Sequence, residues 1–440
     1  MMRTGEMATA ARATVSQPVF RNPAPGLTPE EFISKIVALR PMIRSQQEQA
    51  DAGGAYVQEV HESLLSFGAY GVVQPRRYGG HEFDVPTLLK GIIEMARSDP
   101  GTAWCYAFPA AHVLMLAGHY SEQAQIEIFG RNDGLAIAPL RAPTNGTIRK
   151  VKDGYVVDGS WDYASGVPYA THVMPTARLV GEAHEGPPTF LVPVIPAGQF
   201  RILRESWGGD LTLGLRASGS QTFVVENAFV PDHMVAPFYN FQRAGEDPEG
   251  TPGARLHDNP MYLGLTTLVF TAVISAILVG AAWAALDEFE EVLRTKRTIN
   301  PPFHERYKSP EFQRVFGEAL MQTRSAEVIV LEAGRLYMES CRRWRTGTLY
   351  FARNDFLQSG LATQAGRMAS ECVEQLFYAG GTSGAKRGHR LNRYYRDMAT
   401  YRTHPIAQYE TAAEAMGQAH FDLPMPMLEA VGGARSSKRT

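Results

Sequence analysis

The spacing of apolar positions changes period twice along the chain. From Leu27 the run LTPEEFISKIVALRPMIRSQQEQADAGG places apolar residues at helical intervals, with Thr28 as a helix N-cap and Glu31 three residues on. VHESLLSFGAYGVVQPRRYGG and VPTLLKGIIEMARSDPGTAWCYAFPAAHVLMLAGHY continue that period, punctuated at Gly79-Gly80 and Pro100-Gly101. From Gly134 the period becomes strand-like. TIRKVKDGYVVDGSW sets Asp153-Gly154 between two alternating runs, a hairpin signal, and THVMPTARLV, TFLVPVI, FRILRESW and QTFVVENAFVP read as further short strands. RAGEDPEGTPGARLHDNP, rich in Pro, Gly and charge, reads as a linker, and the helical stretches beyond it predict an antiparallel bundle. The pattern divides the chain into a flexible lead-in over 1–26, an N-terminal helical domain over 27–133, a β-domain over 134–245, a linker over 246–260, a helical bundle over 261–421 and a tail over 422–440.

One stretch complicates this soluble α+β reading. Asn259 to Leu286 carries no charge and is long enough to span a bilayer of about 30 Å. Threonines, a serine and many small residues dilute it, no basic cluster precedes it, and Asp287, Glu288, Glu290 and Glu291 follow directly. A helix buried on all sides within a bundle accounts for this better than membrane insertion. A non-catalytic helical membrane or scaffold protein built on this segment is the alternative from another class. The N-terminal MMRTGEMATAARATVSQP lacks an apolar core of signal-peptide length.

Charge and cysteine content narrow the partners. With Lys+Arg 43 against Asp+Glu 45 the net charge is −2, which favours neither nucleic acid nor an anionic membrane surface. Cys105, Cys341 and Cys372 are far apart, without a CxxC pair, and fit a reducing cytoplasm; no HExxH helix suggests a metal. AGGTSGAKRG, Ala379 to Gly388, fails as a phosphate loop because Ala385 separates Gly384 from Lys386. Lys386, Arg387 and Arg390 then read as a solvated basic patch. In YYRDMATYRTHP, residues Tyr394 to Asp397 read as a loop leading into a short helix, and Pro405 as a helix boundary next to His404.

The order of helical domain, β-domain and helical bundle resembles the acyl-CoA dehydrogenases. DGYVVDGSWDYASG, LGLRASGSQTFVVENAFVP, FYAGGTSG and RYYRDMATYRTHP are more similar to the oxygenase components of two-component flavin monooxygenases, such as p-hydroxyphenylacetate hydroxylases. The resemblance runs from about Leu27 to Phe421 and implies an N-terminal α-helical domain, a middle β-barrel and a C-terminal four-helix bundle. It implies an enzyme that takes reduced flavin (FMNH2 or FADH2) from a separate NAD(P)H-dependent reductase. O2 is the co-substrate, and a C4a-hydroperoxide of the flavin hydroxylates a small aromatic or heteroaromatic molecule. No GxGxxG follows a strand, consistent with a partner reductase.

The site residues follow from the same resemblance. Ser165 is expected near flavin N5, with Trp161 and Gly166 of the same segment as cofactor contacts; the plain alternative is a Ser-Gly turn bonding its own backbone. Trp104 to His112 reproduces a W-x7-H spacing whose histidine binds the phenolic oxygen of the substrate, and His119 on the same face is left as structural. Phe108 and Tyr163 are expected to line the substrate pocket. Arg216, Ser218 and Ser220 resemble a turn beside the flavin; otherwise they form a hairpin turn with a solvated arginine. Gly380 and Gly381 lie in a loop that in related dehydrogenases touches a neighbouring subunit's cofactor, implying a homotetramer. Dehydrogenases place a base glutamate where Pro405 stands, whereas the monooxygenases carry a histidine near the flavin, and His404 holds that place. An acyl-CoA dehydrogenase-like desaturase, or a nitrogen or sulfur oxygenase on the same fold, is the enzymatic alternative.

Overall fold

The computed structural model describes residues 20–142, 145–181, 188–238, 240–264 and 266–425. Helix Pro29–Ala38 begins with the reciprocal Thr28 and Glu31 cap expected from the sequence. Helices Val85–Ser98 and Pro100–His119 are the long elements of this region, each started by an aspartate, Asp84 and Asp99, that accepts from a backbone N–H three residues on. The lead-in is tethered from Phe20 onward. The Phe20 ring packs edge-on against Tyr78, and Asn22 Nδ2 donates to Gly80 O.

The middle region is an open, curled sheet rather than a closed barrel. Seven strands run in the order Val235–Pro237, Phe190–Pro193, Ala177–Val180, Gly146–Val151, Gly154–Trp161, Thr222–Pro231 and Arg201–Leu203, and the two outermost do not pair with each other. A second sheet joins Leu140–Arg141, His172–Pro175 and Ile195–Pro196. The hairpin is present, but Val151 pairs with Gly154, so its turn is Lys152-Asp153, with Asp153 at φ 62°.

The charge-free segment forms helix Thr267–Thr295, whose apolar residues are buried within the chain itself. Helices Pro310–Arg345 and Ala352–Gly380 cover it on one side and Val85–Ser98 on another. The fourth long helix of this packing thus comes from the N-terminal region, and the C-terminal region adds two shorter helices, Arg390–Tyr401 and Tyr409–His420. The helix is long and apolar enough to cross a membrane, yet 89% of its most apolar stretch is buried against the rest of the chain, as expected of a bundle helix. Where charge returns, Asp287 accepts from Arg97 Nη2 at 2.7 Å and Arg44 Nη2 at 3.0 Å. The expected linker is folded too, as short helices at Pro252–Leu256 and Pro260–Leu263, and Gly253 lies so close to helix Pro100–His119 that a Cβ there would stand 1.8 Å from Ala117 O.

Residues Tyr394 to Asp397 are not a loop; they lie inside helix Arg390–Tyr401. Its buried Arg393 reaches Asp99 Oδ1 through Nε at 2.7 Å and Asp51 Oδ2 through Nη1 at 2.7 Å. Burial pushes the Asp99 carboxyl up, but Arg393 and Thr102 outweigh it and hold it below its ordinary value. Asp51 is raised by burial to about 6, with Arg393 opposing. Removing one partner from such a buried cluster strands the others, at about 3–5 kcal/mol. Arg393→Ala is therefore expected to lower unfolding free energy by about 3–5 kcal/mol in chemical denaturation; a loss under about 1 kcal/mol, the size of a surface ion pair, would show that the cluster does not hold the regions together.

Candidate functional site

Helix Pro100–His119 is buried on every face, so its polar groups must find partners inside the protein. Trp104, Phe108 and His112 recur at intervals of four and line up along one face. Trp104 and Phe108 ring centroids lie 5.1 Å apart, and Phe108 and His112 6.0 Å apart. Phe270, in the first turn of helix Thr267–Thr295, approaches Phe108 at 5.6 Å. Trp104 Nε1 donates to Ser165 Oγ at 2.9 Å, and the His404 ring stands edge-on to the indole at 5.7 Å.

Two turns bring three hydroxyls together. Gly166, at φ 86°, allows its turn to press against the helix, because a Cβ there would sit 2.6 Å from both Cys105 O and Pro109 Cγ. Gly166 N–H donates to Gly219 O at 2.9 Å, joining this turn to the next one. Ser165 Oγ then lies 2.9 Å from Ser220 Oγ, and Ser218 Oγ 2.6 Å from Ser220 Oγ. A hydroxyl has one proton and two lone pairs. With Trp104 and Ser220 accounted for, Ser165 keeps one hydrogen-bonding position for a ligand.

The second turn is set by helix Arg390–Tyr401. Leu215 N–H donates to Asp397 Oδ1 at 2.6 Å, and Arg396 Nη1 to Leu213 O at 2.9 Å. Gly214 is needed at this contact, since a Cβ would stand 2.2 Å from Arg396 O. Burial raises the Asp397 carboxyl to about 7, with Arg393 opposing.

His404 sits at the corner after this helix and caps the short turn Pro405–Ala407, its Nδ1 accepting from Ile406 N–H at 3.3 Å. That bond assigns the proton of the neutral ring to Nε2. Burial first, and then the charge of Arg141, press its pKa down to about 4. The ring is thus a neutral donor near pH 7, not the readily protonated group its ordinary pKa suggests. His112 is also pushed down to about 4 by burial. Its Nδ1 lies 3.0 Å from Ala138 O and accepts from Leu140 N–H at 3.1 Å. These contacts require opposite protonation of Nδ1, so both tautomers are open. Nε2 is buried with no partner among the described residues, an atom in want of a ligand.

The fold gathers His112, Phe108, Ser165, Gly166, Ser218, Ser220 and His404 into this region but leaves other expected residues outside it. Trp161 lies in the sheet core, its Nε1 donating to Thr176 O at 3.0 Å and its ring stacked on Phe223. Arg216 turns away to Thr212 O and Asp210. Tyr163 is 56% exposed and its ring leans on Trp207 instead of closing a pocket. Gly380, which is buried, ends helix Ala352–Gly380, and exposed Gly381 caps it. His119 is buried beside Phe241, and its Nε2, like that of His112, has no partner among the described residues. Trp104 as a hydrogen-bond donor, Phe270, Asp397 and Arg141 were not singled out as site groups by motif; for Trp104 the four-residue spacing to Phe108 and His112 carries the signal.

The chain resembles known proteins as follows. Residues 272–409 match the family described as acyl-CoA dehydrogenase, C-terminal domain. The chain is 26% identical over 404 residues to the flavin-dependent monooxygenase oxygenase subunit HsaA of Rhodococcus jostii, covering 89% of this chain and 99% of that one. It is 23% identical over 407 residues to the p-hydroxyphenylacetate 3-hydroxylase oxygenase component of Acinetobacter baumannii, covering 90% of each. XiaF from Streptomyces sp., solved with FADH2 and glycerol, superposes with a TM-score of 0.80 at 22% identity, covering 90% of this chain and 96% of that one.

The electrostatics of His404 can be read directly. Since burial and Arg141 both disfavour the imidazolium, the ring in the flavin-free protein should titrate by NMR with a midpoint near 4. A midpoint at the ordinary 6.5 would mean that the ring is solvated and does not face the site.

Proposed function

We propose that this chain, which has the acyl-CoA dehydrogenase fold, is the oxygenase component of a two-component flavin-dependent monooxygenase acting on a small aromatic or heteroaromatic molecule. The observation that carries this reading is the pair of groups flanking Trp104: Ser165 bonded to its indole and His404 edge-on to its ring. Reduced flavin, FMNH2 or FADH2, supplies the two electrons that split O2, so that one oxygen atom enters the substrate and the other leaves as water. The residues fit that cofactor. The spare position on Ser165 Oγ would meet the N5 edge of the ring, and Gly166, Ser218 and Ser220 would help to hold it. His404 Nε2–H offers a neutral donor to negative charge developing on oxygen, at a largely buried position where such a donor acts more strongly than in bulk solvent.

His112 Nε2 binds the substrate oxygen: in one tautomer it accepts a phenolic proton, in the other it donates to a phenolate. Phe108 and Phe270 supply flat apolar walls that orient an arene and exclude water. A separate NAD(P)H-dependent reductase delivers the flavin. Three buried free cysteines suit the cytoplasm. Met321, Val328 and Tyr378 on the outer helices are 63–65% exposed and offer apolar surface for a homotetramer, in which Gly380 and Gly381 face a neighbour's flavin and Trp161 and Arg216 act through the shape of the sheet and turn. Sedimentation should give four times the chain mass; a monomer at micromolar concentration would remove those two glycines from the site.

The proposal predicts that anaerobic titration yields tighter binding of reduced than of oxidised flavin. Ser165→Ala changes little volume but leaves Trp104 Nε1–H without its acceptor, and it should raise peroxide released per flavin oxidised while product falls. Unchanged coupling would make Ser165 a turn residue only. His112→Ala should weaken binding of phenols by about tenfold, a 1.4 kcal/mol loss, with flavin oxidation retained. Loss of flavin oxidation at normal phenol affinity would reverse the roles of His112 and His404.

A further inference from the structure

Arg141 stands out by what it lacks. Among the described residues the arginines at least half withdrawn from solvent nearly all meet a carboxylate: Arg40 meets Glu94, Arg97 meets Asp287, Arg390 meets Glu288 and Arg393 meets two aspartates. Arg306 has none, but it lies over the Phe312 ring and bonds Arg297 O at the surface. Arg141 has neither an acid partner nor a ring. Its Nε donates to Asp162 O, while its two terminal nitrogens have no protein acceptor among the described residues. The Asp162 carboxylate is not within ion-pair distance and accepts from Thr222 Oγ1 at 2.7 Å instead.

The position of this cation is specific. Arg141 follows Leu140, whose N–H donates to His112, and the short strand Leu140–Arg141 pairs in parallel with His172–Pro175, Arg141 opposite Pro175. Its side chain crosses to the Asp162-Tyr163 segment just ahead of Ser165, and its charge acts on His404. Its backbone thus adjoins the contact to the group proposed to hold the substrate oxygen, and its side chain reaches the segment that leads to Ser165. Burial presses its own pKa down, with the nearby charge of Asp162 only partly opposing. A guanidinium with its terminal fork free matches a planar carboxylate through two parallel hydrogen bonds, and such a match is strongest where water is scarce.

We propose that Arg141 is the anion-binding element of the substrate pocket, and that the substrate of this protein is an aromatic compound bearing a carboxylate. This rests on the flavin reading above and narrows its substrate class. The same fork could take up a phosphate of the flavin, so the test separates the two sources.

The experiment uses the full-length protein loaded anaerobically with reduced FMN or FAD. Its probes are 4-hydroxybenzoate, 4-hydroxyphenylacetate and 3-(4-hydroxyphenyl)propanoate, each against its primary amide. The inference predicts that at least one acid binds about tenfold more tightly than its amide. Arg141→Gln should abolish that preference with flavin affinity within about twofold of wild type, and Arg141→Lys should retain part of it. Independently of any ligand, Arg141→Gln should move the His404 NMR midpoint upward, which verifies that the charge faces the site and that the variant is folded. No preference for any acid in a protein that binds reduced flavin overturns the inference and spares the flavin reading. Loss of flavin affinity in Arg141→Gln, with the acid preference intact, also overturns it and assigns the fork to a flavin phosphate. Failure of the wild type to bind reduced flavin sinks the underlying reading itself.

Discussion

A buried guanidinium must be met by opposite charge wherever the chain can supply it, and Arg393 imposes that constraint on three separate regions. Asp51 closes helix Gln47–Gly53 onto it, and Asp99 is at once its partner and the N-cap of the helix that carries Trp104, Phe108 and His112. One turn along, Asp397 holds Leu215, and with it the turn bearing Ser218 and Ser220. The same helix ends three residues before His404. The walls of the site are thus all referred to one short helix, which keeps Trp104 within hydrogen-bond reach of Ser165 and beside His404.

Burial decides the chemistry of the groups so placed. His112 and His404 are both held neutral near pH 7, since an imidazolium would lose more hydration than its surroundings return. Neutral buried rings can donate or accept without a counter-ion. Arg141 is the cation whose charge reaches His404, and its proximity is one reason why that ring stays neutral. A negatively charged ligand would offset Arg141 and ease the restraint, so the site's charge balance is set for an anionic occupant.

The periods of the sequence identify most helices and strands because burial on one face leaves a regular imprint, as in the Thr28 cap and the strand pair ending at Asp153. A helical stretch around RYYRDMATYR is legible, but the start of helix Arg390–Tyr401 is not, because its buried face carries Arg393, Tyr394 and Asp397, which in sequence look like a solvated loop. Openness of the sheet was likewise illegible, since strand closure depends on pairing between distant edges. Ser165, His112 and His404 are recognisable through family motifs, and the structure does bring them together. Trp161 shares Ser165's motif yet is the last residue of its strand, with its ring in the sheet core, whereas Ser165 lies in the turn beyond the strand. Arg141 sits on a two-residue strand with no motif around it, and only the absence of a partner in three dimensions marks it out.

If this arrangement directs the reaction of reduced flavin with oxygen, rapid mixing of the protein loaded with reduced flavin against oxygenated buffer should show it. A transient absorbance distinct from both reduced and oxidised flavin is expected, its formation slowed at least about tenfold in His404→Asn, which corresponds to about 1.4 kcal/mol of barrier. Single-step appearance of oxidised flavin at the rate seen in free solution, unchanged by that substitution, would contradict it.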